Sequence, residues 1–113
     1  MSVLPIAFAS RTEPSGLEIR INFGVFAGRE ATPAELDELA HELLPAVGAV
    51  SVVAEQRHEV SRESEVALHQ VRVEVESERL PSDERELEQL EHRLVAGAER
   101  WARICIAERH AEL

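Results

Sequence analysis

The chain has no lysine and no tyrosine in its 113 residues, and only one cysteine, one methionine and one tryptophan. Without lysine there is no Schiff-base nucleophile, no lysine general base and no P-loop lysine. All twelve basic residues are arginines, a bias that codon usage in a GC-rich genome produces without any functional demand. The lone thiol, Cys105, cannot close a disulfide within the chain. The apolar run Val3–Ala9 has no basic residues ahead of it and is broken by Pro5, so it does not read as a secretory signal. These features point to a cytoplasmic protein. No apolar run approaches the length of a membrane span.

Positive charge is also scarce. Twelve basic residues face 22 acidic ones, for a net charge of −10 spread along the chain rather than gathered in blocks. Such a surface repels phosphate backbones and anionic headgroups, so neither nucleic acid nor a membrane is expected as a partner. The apolar fraction of 44% is enough for one modest core. Residues 1–113 therefore read as a single α/β domain, with 1–15 as either a flexible arm or an edge strand.

Taken in order, residues 3–9 suit a short strand that Pro5 confines to a sheet edge. Arg11–Gly16 reads as a turn. Leu17–Phe23 alternates, with Leu17, Ile19, Ile21 and Phe23 on one face and Glu18, Arg20 and Asn22 on the other, the pattern of a half-buried strand. Gly24–Ala31 reads as a loop. Thr32-Pro33-Ala34-Glu35 carries the signature of a capping box, opening a helix that Pro45 and Gly48 end. Val50–Val60 and Val66–Val75 form a hairpin through a turn at Ser61–Ser64. Pairing Val60 with Glu65, Ala54 with Val71 and Val52 with Val73 keeps the valines on one face. The last third, from Ser82 as N-cap to about Ala111, reads as one long amphipathic helix. Its stripe runs Leu87, Leu90, Leu94, Gly97, Trp101 and Ile104, with acids near its start and Arg100, Arg103, Arg109 and His110 near its end.

The order β-α-β-β-α puts the third of these strands between the other two, with both helices on one face of a mostly antiparallel sheet. In topology this resembles a ferredoxin-like half-open sandwich without its last strand, and the N-terminal run suits the vacant place beside the first strand. The fold class is thus α+β. Topology alone implies no function. The opposite face, with Glu18, Arg20, Asn22, Glu55, Arg57, Gln70, Arg72 and Glu74, reads as solvated.

No catalytic constellation, metal-ligand spacing or cofactor motif is visible. His41 and His92 follow Asp37 and Glu88 by one helical turn, an ordinary surface pairing. Cys105 reads as a structural thiol. Weak ligand-binding candidates are Gln56, His58 and His69, which share the inward face of the hairpin beyond the valine layer. Arg29 is another, in a loop that leads to a helix N-terminus where anions bind. Gln56, His58 and His69 either line a small-molecule pocket between sheet and helices, as in an enzyme or sensor, or make a subunit contact, or hold a metal with histidines converging from several subunits, or the hairpin end simply projects into water.

From Leu94 onward the apolar arc of the last helix widens through Val95, Ala98, Ala102, Cys105 and Ile106, and Gly97 opens room for close approach. An arc that wide needs cover on more than one side, from the folded-back N-terminal run or from a second chain. Val95, Gly97, Ala98, Ala102 and Ile106 are the interface residues this reading names. The functional expectation is a small acidic binding, accessory or regulatory module, working as a homo-oligomer (dimer or higher) or with a protein partner.

Overall fold

The computed structural model describes residues 4–12 and 16–111, with side chains to residue 107. The turn read at Pro14 and Ser15 and the side chains of Arg109 and His110 lie outside the described residues. Four strands, β1 (Ala7–Thr12), β2 (Gly16–Ile21), β3 (Ser51–Val60) and β4 (Glu65–Val75), form one sheet in the order β1-β2-β4-β3. Every neighbouring pair is antiparallel. Among the described residues three α-helices accompany them: α1 (Phe23–Ala27), α2 (Pro33–Val47) and α3 (Glu84–Ala111).

The α+β class and the central place of β4 are as the alternation required, and the hairpin register is the expected one: Val60 faces Glu65, Ala54 faces Val71 and Val52 faces Val73. The N-terminal run does take the edge beside the first strand. It pairs later than the apolar stretch suggested, from Ala7 to Thr12, because the chain at Pro5 is anchored differently. The Asn22 side chain donates to the Pro5 carbonyl at 2.8 Å, and the Asn22 N–H donates to that of Ile6 at 2.9 Å.

Leu17, Ile19 and Ile21 of β2 and Val71, Val73 and Val75 of β4 are buried against the helices. α3 lies over β1 and β2, and α2 lies over β3. At the close approach of the two helices, a Cβ on Gly97 would stand 2.9 Å from Leu43 Cδ2. α2 begins at the expected capping box. The Glu35 N–H donates to Thr32 Oγ1 at 3.2 Å, and the Thr32 N–H donates to Glu35 Oε1 at 2.8 Å. Pro45 sits inside the last turn, where its missing N–H costs one bond but does not end the helix. Gly48 ends it in the left-handed conformation, φ 82°, donating its N–H to the Leu44 carbonyl.

Three local readings need correction. Phe23 does not extend β2 but opens α1, whose Gly24 packs so closely on β4 that a Cβ would come within 2.8 Å of the His69 carbonyl oxygen. Asp83, not Ser82, caps α3, since its Oδ2 accepts from the Glu86 N–H at 3.1 Å. On α3 the buried face is Leu90, Leu94, Ala98, Trp101, Ala102 and Cys105, while Ile104 is 57% exposed.

Candidate functional site

The hairpin that carries Gln56, His58 and His69 is longer than the body beneath it. β2 pairs with β4 only as far as Val71, whereas β3 follows β4 down to Glu65. α1 meets β4 at His69, and beyond it the two strands run on as a ribbon. Gln56–Val60 and Glu65–Ala67 are all exposed, Val60 at 71%. The ribbon closes through Ser61–Ser64. The Ser61 N–H donates to the Ser64 carbonyl at 2.8 Å, and Ser61 Oγ accepts from the Ser64 and Glu63 N–H groups at 3.1 and 3.3 Å. Gln56 lies opposite His69 and His58 opposite Ala67. The structure thus brings Gln56 and His69 together but leaves Gln56 and His58 in water on the ribbon. His69, at the ribbon's root, reaches Glu30 Oε1 at 3.2 Å.

Arg29 occupies a different centre. Its guanidinium grips the Glu35 carboxylate through two bonds of 2.7 Å, lies over the Phe23 ring at 5.3 Å and donates to the Glu30 carbonyl at 2.9 Å. The Glu35 carboxyl is held down at about 2, chiefly by Arg29, against the opposing cost of burial, with further help from the Thr32 N–H and the Cys105 thiol. The backbone of Glu35 takes part as well, since Trp101 Nε1 donates to its carbonyl at 2.8 Å. Phe23 and Trp101 pack at 5.2 Å between centroids. This arrangement is structural: it ties the loop before α2, the start of α2 and α3 into one packed unit. Arg29 spends its charge on Glu35 rather than offering it to an anion.

The outward face of the sheet is more ordered than a solvated face. Arg20 lies directly opposite Arg72, and Glu18 opposite Glu74, pairings of like charge that are unfavourable by themselves. Contacts along and across the strands resolve them. Arg20 reaches Glu18 at 3.0 Å and Glu55 at 3.1 Å; Arg72 reaches Glu74 at 3.0 Å, Glu18 at 3.4 Å and Glu55 at 3.5 Å. Gln70 accepts from Arg20 at 3.3 Å and donates to Asn22 Oδ1 at 2.8 Å. Glu18, Asn22 and Gln70 are buried as a result. Alternation showed that these residues share a face. It could not show that the long arginines lie flat and cover it.

Of the residues named for an interface on α3, Ala98 and Ala102 are buried within this chain, and Gly97 lies against Leu43. Val95 and Ile106 are half-buried and pack at the margin of the core. The widened apolar arc is thus covered largely by the chain's own sheet and α2. A shallow groove remains between α2 and α3, lined by Glu42, Leu43, Arg93, Gly97 and Arg100 and bridged by Arg100 and Glu42 at 3.0 Å. Arg11, which the sequence did not single out, holds β1 to α3 through Glu84 at 2.6 Å and Glu91 at 2.8 Å.

Among the described residues, no group of three or more His, Cys, Asp and Glu side chains is placed to hold a metal ion. Among the same residues no helix is long and apolar enough to cross a membrane. Comparison with protein-family models, with curated proteins and with solved structures finds no match.

Proposed function

We propose that this protein is an acidic, cytoplasmic binding or accessory module that works as a homo-oligomer and makes its contacts through the β3–β4 ribbon. The observation that carries this reading is the ribbon itself. Its strands continue past β2 and α1 with both faces in water, and its outer residues include the exposed Val60 and Val66. A two-stranded ribbon without cover is only marginally stable in water, so one built this long favours a covering surface from another chain. The space between sheet and helices supports the same reading, because Ile19, Phe23, Leu39, Val73 and Leu94 fill it with fully buried side chains.

Native mass spectrometry of the protein purified from its source tests this. The expected result is a multiple of the 12.6 kDa chain mass with no stoichiometric small molecule. A single copy of the chain, alone or with another protein, overturns the homo-oligomer proposal. A monomer carrying one bound small molecule replaces it with the enzyme or sensor reading.

A further inference from the structure

We infer that the outer edge of β3 pairs with the same edge of a second copy, antiparallel and centred on Gln56, so that two four-stranded sheets become one continuous sheet. The inference rests on the homo-oligomer reading above and names the surface and register that would produce it. β3 is the last strand of its sheet, and among the described residues no strand pairs with its outer edge. The edge is also open to pairing along its length: Ser51–Val60 contains no proline, and its register with β4 runs without a bulge.

The backbone decides which groups face outward. The Ser61 N–H bonds to the Ser64 carbonyl, so those residues form a bonded pair. Bonded and non-bonded pairs alternate along an antiparallel ladder. Ser51, Val53, Glu55, Arg57 and Glu59 therefore direct their N–H and C=O groups to β4, and Val52, Ala54, Gln56, His58 and Val60 direct theirs to the open edge.

The side chains then select one register. With Gln56 opposite its own copy, Glu55 faces Arg57 of the second copy on both sides of the two-fold axis. Val52 faces Val60, Ala54 faces His58, and every outward backbone group from Val52 to Val60 is paired. Centring on Arg57 sets that arginine against itself and Glu55 against Glu59. Centring on Glu55 sets that carboxylate against itself. Centring on His58 also pairs Arg57 with Glu59, but it shortens the ladder to Gln56–Val60 and sets Val60 against Gln56.

The local charge agrees. Glu18, Glu55 and Glu74 share Arg20 and Arg72 in the network on that face, and the second copy's Arg57 would give Glu55 a further cation. Among the described residues Arg57 makes a loose ion contact, 3.5 Å to Glu59, and it is half exposed. The pairing also gives the exposed Val60 an apolar neighbour. Because the contact is isologous, it closes at a dimer.

Light scattering of the full chain, wild type beside Arg57→Glu and Gln56→Pro, tests the surface. The first variant sets like charges opposite each other twice. The second removes an N–H that only the second copy would use. A dimeric wild type with both variants monomeric, at unchanged helical circular dichroism, is the expected result. A short bismaleimide tests the register on the single-cysteine changes Gln56→Cys, Ala54→Cys and His58→Cys, since the native Cys105 is buried. Position 56 meets its copy directly, while 54 and 58 each lie about 14 Å from theirs. Cross-linking at 56 alone is expected. Variants that remain dimeric, or a stronger cross-link at 54 or 58, overturn this pairing and leave the homo-oligomer reading standing; a monomeric wild type overturns both.

Discussion

Trp101, on α3, donates its indole N–H to the main-chain carbonyl of Glu35, in the first turn of α2, at 2.8 Å. The same Glu35 closes the capping box and takes the Arg29 fork with its side chain. One residue therefore fixes the start of α2 to the loop before it and to the long helix behind it. Replacing Trp101 by alanine should destabilise by about 3–5 kcal/mol through lost burial and a cavity. Trp101→Phe should cost less, since it keeps an aromatic ring beside Phe23 and loses mainly the hydrogen bond. Urea denaturation measures both, and the native fluorescence should be blue-shifted from that of tryptophan in water.

Thr32→Ala removes the cap oxygen that accepts from the Glu35 N–H. A loss of about 1 kcal/mol is expected. Thr32→Ser should be close to wild type in the same denaturation experiment.

The pH dependence follows from Glu35. Its carboxyl is lowered from 4.5 to about 2 in the folded protein, so the folded state holds its proton less tightly than the unfolded state. The resulting stability is fully present above the unfolded value and is lost as pH falls from about 4.5 toward 2. The shift corresponds to on the order of 3 kcal/mol, and screening through the partly exposed Arg29 brings this nearer about 2 kcal/mol. Glu35→Gln should lose about that much at neutral pH, and its stability should fall less steeply than wild type between about pH 4.5 and 2. Thermal melts across that range read the difference.

Gly24 is where α1 and β4 touch. A methyl group there would stand 2.8 Å from the His69 carbonyl oxygen and 2.9 Å from His69 Cβ, and backbone cannot step aside as a flexible side chain can. Gly24→Ala should therefore destabilise by about 1–3 kcal/mol despite alanine's better helix propensity. Faster hydrogen exchange at the amides of α1 would locate the damage.

The sheet was legible because its residues alternate. Leu17, Ile19 and Ile21 against Glu18 and Arg20, and Val71, Val73 and Val75 against Arg72 and Glu74, leave one register that keeps the valines inside. α1 was not legible: five residues around a glycine give no helical period, and Phe23 continues the alternation of β2 by position alone. The misplacement of Ile104 has a geometric cause. A stripe read at seven-residue spacing drifts about 20° per heptad on a straight helix. By the third heptad the buried line has moved to Ala98, Ala102 and Cys105.

The candidate site was legible only in part. That Gln56, His58 and His69 share a face follows from the pattern, but how far the hairpin outruns its cover depends on where β2 stops. That is decided by Asn22, whose amide is committed to Pro5 and Gln70. The role of Arg29 was hidden for a similar reason. Its partner Glu35 was visible as a capping residue, and nothing in the spacing shows a side chain serving two contacts at once.

The central pairing of β2 with β4 sets the order in which this protein can be completed on the ribosome. β1 and β2 emerge first, yet Ile21 finds Val71 only after α1, α2 and β3 have been made, and its apolar face is covered only once α3 follows. Until then Leu17, Ile19 and Ile21 have no core to enter. The first half of the chain is therefore a dependent of the second, and a truncated product ending before α3 is expected to aggregate rather than fold.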